Sequence, residues 1–408
     1  MAFMSSNSAQ SESINNPGFL KVDLLLKGIY LDKSARESDQ IKRALAISKD
    51  LGLSSELDIL LPCQIIVNVA FEEDASSTPY SLIKKNGSFL VSTGDESVEV
   101  EVIAPPPYYD KKTKTGVPFA NIAKLYGEYL IVSPTRECEF LTKDLACFYC
   151  DVESRVDKKR SVEEVIETIK AVSKSNPVNL VCLNTGYEAT PDGGIKAIEP
   201  YIKEIKKRFD VLVAVQAQPP LEDEWIDYTY ALGVDSLAYN LEVYDPDIFA
   251  KIAPGKQQVI GRTRYLEALR RAAKVFPKGA VVSNLIIGIE PISSTIKGIN
   301  ALASMGVIPT LPILNTSSDE LESAESLSVD DIAKVFLHLN RTLRKYKIAD
   351  SWVSHANIAM NAIDGTHFGG DAAYKSRLDN LLKSRRGSKI ARNLTKIRRS
   401  LRVKKVKD

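Results

Sequence analysis

The sequence predicts an α/β chain: a partial (βα)6 TIM-type barrel with a small N-terminal α+β domain before it and a basic helical C-terminal tail after it. Three observations carry that reading. Short runs rich in β-branched residues, partly alternating, crowd residues 18–104. Across 129–350, six apolar strand-like runs each lead into a stretch with helical periodicity. Strands joined through helices run parallel with right-handed crossovers, and six such units fall short of the eight of a closed barrel. Residues 375–408 hold 14 Lys or Arg and 2 Asp, so this tail carries +12 on a chain of net charge +2, and the remainder carries −10.

Residues 1–17 are polar and rich in Ser and Asn, and read as a disordered lead-in without the apolar centre of a signal peptide. In the 18–104 domain, VDLLLKGIYL, DILLPCQIIVNVAF, SFLVSTG and VEVEVIA read as strands. A helix over SARESDQIKRALAISKDLG intervenes, with Ser34 as its cap and Gly52 as its stop. Residues 105–128, beginning APPPYYDKKTKTGVP, form a connector, and YLIVSPT is the first barrel strand. The later strands are NLVCLNTG, DVLVAVQAQ, DSLAYNLEVY, AVVSNLIIGI and VIPTLPIL. Helix SVDDIAKVFLHLNRTLRKY closes the series, 351–374 forms a barrel-covering segment, and 375–408 is the tail. An apolar share of 44% with 26% charged residues suits a globular protein, and no run is long and apolar enough to span a membrane. A cytoplasmic, reducing location is therefore expected, where neighbouring cysteines bind metal more readily than they form disulfides.

Three of the five cysteines fall within CEFLTKDLACFYC, from Cys138 to Cys150. They follow the first barrel strand, at the end where side chains from several strands converge. The C-x2-C pair of Cys147 and Cys150 lets two thiolates reach one metal centre. A structural zinc would want a fourth Cys or His, whereas a [4Fe–4S] cluster on three cysteines leaves one iron open to an outside ligand. The cluster is the better match, because no fourth ligand stands nearby in the sequence.

With these residues in place, the sequence resembles the radical S-adenosylmethionine (SAM) superfamily, and within it a biotin synthase-like group with the C-x8-C-x2-C spacing. The resemblance runs from about Pro105 to Leu314 and rests on YDKKTKTGVP, C-x8-C-F-Y-C, a TG after the second strand, QPP after the third, NLEVYDPDIFAKIAPGK, RYLEAL and LIIGIE. It implies that Cys138, Cys147 and Cys150 hold a [4Fe–4S] cluster whose fourth iron SAM ligates. One electron on the sulfonium then gives methionine and a 5′-deoxyadenosyl radical. It further implies that Tyr149 meets adenine and that Thr185, Gly186, Tyr187 and Glu188 receive the methionine amino group. Glu242 takes the ribose hydroxyls, Arg264 the methionine carboxylate, and Ile286, Ile287 and Gly288 lie along adenine. Gln216 and Gln218, ending the third strand, are candidates for one substrate contact.

Each role has a plainer rival. Glu242 and Arg264 could be surface ion-pair residues, and Gly288 a strand-end turn. Cys182 and Cys63 read as buried small apolar residues, His338 as a core residue, and His355 and His367 as lid or packing residues. A second internal cluster like that of biotin synthase is not expected, since Val282-Ser283 stands at one comparable place. The implied activity is hydrogen abstraction from an unactivated carbon of a small or carrier-bound substrate, with sulfur insertion open. A ferredoxin or flavodoxin is the implied electron donor. The alternative is a non-catalytic, metal-stabilised protein whose basic tail binds RNA or an acidic partner.

Overall fold

Asn16 accepts hydrogen bonds from the amides of Gly18 and Phe19 and caps helix α1 (Pro17–Lys27), where the sequence predicted a strand in VDLLLKGIYL. Pro17 at the first helical position needs no amide partner, which favours the start. A strand would place Leu20, Val22 and Leu24 on one face. The helix instead sends Leu20 and Leu24 into one core and Val22 into another, so α1 joins both. Ile14 is also buried, which corrects the lead-in drawn to residue 17. The computed structural model describes residues 14–51, 56–72, 74–94, 96–135, 137–150, 159–314, 327–349 and 364–370. The basic tail and His355 lie outside the described residues.

Strands β1 (Ile29–Leu31), β2 (Glu56–Leu61), β3 (Ile65–Glu72), β4 (Ser81–Lys85), β5 (Ser88–Ser92) and β6 (Ser97–Val102) close into a small barrel in the order β1-β3-β2-β6-β5-β4. The predicted single helix is two, α2 (Lys33–Arg36) and α3 (Asp39–Leu51), and Asp32 rather than Ser34 is the cap of α2. The long run DILLPCQIIVNVAF breaks at Pro62, which cannot donate to a ladder, into antiparallel β2 and β3. Cys63 sits in that turn at φ 61° and is exposed, not buried as expected.

The second unit begins with β7 (Ala123–Tyr126), antiparallel to β8 (Tyr129–Val132) and absent from the sequence reading. Parallel neighbours follow: β9 (Leu180–Asn184), β10 (Leu212–Gln216), β11 (Ser236–Ala238), β12 (Val281–Asn284) and β13 (Ile308–Thr310). The sheet is open, in the order β13 to β7. Between and after the strands stand α4 (Glu139–Thr142), α5 (Val162–Ser173), α6 (Ile195–Arg208), α7 (Asp223–Ala231), α8 (Pro246–Ile252), α9 (Arg262–Val275), α10 (Ile292–Met305) and α11 (Val329–Lys345). Val181, Leu183, Val213 and Val215 pack with the helices in the main core. Leu180, Cys182 and Ala214 face the other way, with Tyr129 and Leu212. Among the described residues, no helix is long and apolar enough to cross a membrane.

Residues 364–370 pack on α11 and α1, so the described part of the segment expected to cover the barrel lies on helices. A side chain at Gly365 would meet the Phe336 carbonyl at 2.6 Å. Asn16 donates to the His367 carbonyl at 3.0 Å, and Phe19 meets Phe368 edge to face at 5.0 Å. Lys21 pairs with Asp364 at 3.1 Å, their side chains 1% and 7% exposed. Asp364→Ala leaves a buried ammonium without this partner, and about 3–5 kcal/mol of stability should be lost. Lys21→Met with Asp364→Leu should restore much of it, as urea denaturation midpoints would report.

Candidate metal centre and ligand site

The three cysteines lie on a loop held from two sides. Cys138 is the residue before α4, and Cys150 closes a turn by donating its amide to the Cys147 carbonyl at 3.0 Å. From one side the loop meets the end of β9. The Tyr187 amide reaches the Cys138 sulfur at 3.4 Å, and the Glu139 amide donates to the Tyr187 carbonyl at 3.0 Å. The Phe140 and Tyr187 rings stack at 4.2 Å. A Cβ on Gly186 would stand 2.2 Å from the Glu137 carbonyl oxygen and 2.8 Å from Cys138 Cβ, so only glycine allows this approach.

From the other side the loop meets α8 and the residues after it. The Phe148 amide donates to the Ile252 carbonyl at 3.0 Å, and the Gly255 amide to the Leu145 carbonyl at 3.2 Å. A Cβ on Gly255 would lie 2.6 Å from the Phe140 ring. Among the described residues, no three of His, Cys, Asp and Glu are gathered closely enough to hold a metal ion as they stand.

Glu242 is 6% exposed and has φ 73°, a conformation rarely adopted by a residue with a side chain. Its amide donates to the Asn284 carbonyl at 2.8 Å, and its own carbonyl accepts from Ile286 at 2.7 Å, which pins the residue between β11 and β12. It is no surface residue, and its ion-pair partner is Lys256, at 3.2 Å. Lys256 is itself buried and donates to the Asn240 carbonyl at 2.9 Å. Its ammonium lies 5.5 Å from the Tyr149 ring centre and 5.6 Å from that of Tyr265. Burial pushes the Cys147 thiol above its ordinary pKa, and the Lys256 charge opposes that shift. Burial likewise holds the Tyr149 and Tyr265 hydroxyls protonated, with Glu242 and Cys147 adding to the effect.

Tyr265, on α9, is fully buried and donates to Gln218, so that glutamine is committed within the protein. Gln216 pairs in register with Asn184 and Ala238 on the sheet face of Leu212 and Ala214. Arg264 donates from Nε to the Pro220 carbonyl at 2.8 Å and from Nη1 to Asp223 at 2.8 Å. Burial raises the Glu188 carboxyl pKa, Lys159 opposes the shift, and Asp192, Glu139 and Glu137 add to it. This surplus of negative charge suits a cationic group. Ile287 is buried, bonded to Pro312 and Leu314, and Gly288 follows at φ 102°. Ser283 is fully buried and accepts from the Leu241 amide. Burial pushes the Cys182 thiol up to about 11. His338 is half-buried and bonds Asn300 at 3.0 Å.

Lys256 and Tyr265 were missed as site residues, although both lie in motifs that carried the resemblance. Nothing in a sequence separates a buried lysine from the far commoner solvated kind.

Thr185 Oγ1, Glu242 Oε2 and Arg264 Nη2 are, like Arg262 Nε, buried side-chain atoms without a hydrogen-bond partner. Buried polar groups are ordinarily satisfied, so such atoms call for a ligand or water.

Residues 132–295 match the family model described as the Radical SAM superfamily. A curated relative, bacteriochlorophyllide c C-7(1)-hydroxylase of Chlorobaculum limnaeum, is 30% identical over 100 residues. That stretch covers 24% of this chain and 25% of the relative, so the chain matches a quarter of that enzyme's length. Similar solved structures include methylornithine synthase, at TM-score 0.42 and 16% identity over 67% of this chain and 82% of that one. Another is a radical SAM methyltransferase from Sphaerobacter thermophilus, at TM-score 0.42 and 14% identity over 66% and 76%.

Proposed function

We propose, from the match of residues 132–295 to the Radical SAM superfamily model, that Cys138, Cys147 and Cys150 hold a [4Fe–4S] cluster beside a SAM site. The open sheet is read as the partial (βα)6 TIM-type barrel of such enzymes, and the C-x8-C-x2-C spacing supports the biotin synthase-like group. When bound, the cluster supplies the electron that cleaves SAM to methionine and a 5′-deoxyadenosyl radical. The observation that carries the reading is the set of buried, unpartnered atoms on Thr185, Glu242 and Arg264. These are three of the residues that the resemblance assigns to SAM, and their chemistry fits it. Glu242 Oε2 accepts from ribose hydroxyls, Arg264 Nη2 donates to the methionine carboxylate, and Thr185 adjoins the amino group beside acidic Glu188. Tyr149, Ile287 and Gly288 flank adenine, and Gly186 and Tyr187 hold the Cys138 loop in place.

The substrate reading is hydrogen abstraction from an unactivated carbon of a small or carrier-bound molecule, with Gln216 on the inner sheet face as a contact. Hydroxylation, which the relative's name describes at a C-7(1) position, is one use of such a step. Sulfur insertion from a second internal cluster finds less support. Ser283, at one comparable place, offers no thiol, and its hydroxyl accepts from the Leu241 amide. The test is anaerobic reconstitution with iron and sulfide, then dithionite and SAM, with 5′-deoxyadenosine measured by chromatography. Deoxyadenosine formation supports the proposal. A protein that takes up no iron and retains zinc sinks it and favours the metal-stabilised binding protein.

A further inference from the structure

Lys256 is a buried cation with no role in the reading so far. It belongs to a single π turn, Lys256–Ile260, and such turns are rare and frequent at functional sites. Its position relative to the cysteines is fixed. The preceding residue, Gly255, packs directly on Phe140 and bonds the Leu145 carbonyl, both within the cysteine-bearing segment. The ammonium stands over the ring of Tyr149, the residue before Cys150. It also bonds Glu242, whose second carboxylate oxygen is left for a ligand. A charge at this depth is weakly screened and acts strongly on its surroundings.

We propose that Lys256 tunes the reduction potential of the cluster held by Cys138, Cys147 and Cys150, while its bond to Glu242 orients that carboxylate toward SAM. The inference rests on the cluster reading above. One-electron reduction by an external reductant adds one negative charge between the thiolates. A buried ammonium alongside favours the reduced state, and a buried carboxylate opposes it. Lys256 and Glu242 therefore act on the potential with opposite signs.

The experiment is a redox titration of reconstituted protein, followed by visible and paramagnetic resonance spectra. Lys256→Met should lower the potential, with a tenfold or larger fall in the equilibrium constant for reduction, which is 59 mV for one electron. Glu242→Gln should raise it, and Lys256→Arg, which keeps the charge, should stay near the wild type. Damage to packing alone would not give shifts of opposite sign. Because Lys256→Met strands a buried carboxylate, a second comparison sets the double variant Glu242→Gln/Lys256→Met against Glu242→Gln alone. The double variant should have the lower potential. Equal potentials in that comparison, or equal shifts for Lys256→Met and Lys256→Arg, overturn the inference. A wild-type chain that binds no four-iron cluster overturns the underlying reading as well.

Discussion

Cys147→Ala should reduce the iron content of reconstituted protein from about four per chain to near zero, and deoxyadenosine formation to background. The expected effect is this large because no other thiol can take its place. Cys182 lies beside Tyr129 and Leu180 on the sheet, with a thiol pushed up to about 11, and Cys63 lies in the turn between β2 and β3. Iron and sulfide analysis beside chromatography checks the result. Retention of most of the iron would remove Cys147 from the ligand set.

Glu242→Gln has the second-largest expected effect, on SAM affinity. A hydrogen bond to a charged group contributes about 1.5–3 kcal/mol, so affinity should fall roughly 10- to 150-fold. Glutamine keeps the shape of the side chain, and Lys256 retains the Asn240 carbonyl as a partner. The unfolding midpoint without ligand should therefore move less than the affinity. Equilibrium dialysis with labelled SAM decides the matter. A change under about threefold would mean that Glu242 Oε2 faces something other than the ligand. The φ of 73° at Glu242 gains meaning here. Backbone strain costing of order 1–3 kcal/mol persists where the surroundings over-determine it, and such positions cluster at functional sites.

The strands and helices from YLIVSPT onward were legible because each repeats one pattern: an apolar strand run, then amphipathic helical spacing. The first domain was less so. In VDLLLKGIYL the side chains suit a strand or a helix equally, and only the cap at Asn16 and the two cores that share α1 decide between them. DILLPCQIIVNVAF held two strands, which the proline signalled. In the site, cysteine spacing and the TG pair are local signals and could be read directly. What escaped were contacts between distant segments, such as Lys256 under Glu242 and Tyr265 bonded to Gln218, which need three-dimensional proximity to acquire meaning. Arg264 was assigned through the resemblance, and the bonds of its Nε to Pro220 and Nη1 to Asp223 were not visible in the sequence.

The pairing of Lys21 with Asp364 also fixes an order of events in synthesis. The two residues lie 343 positions apart, and α1 contributes to both hydrophobic cores. At about 5–20 residues per second, a ribosome needs roughly 17–70 s between adding one partner and adding the other. Through that interval Lys21 has no Asp364 to meet, and the face of α1 that receives residues 364–370 stays uncovered. The small barrel can close early around its own strands, but its entry helix finds this seat only after the whole of the cysteine-bearing domain has been made. Docking of α1 against residues 364–370 thus comes late, although its Leu20 and Leu24 belong to the core of the small barrel.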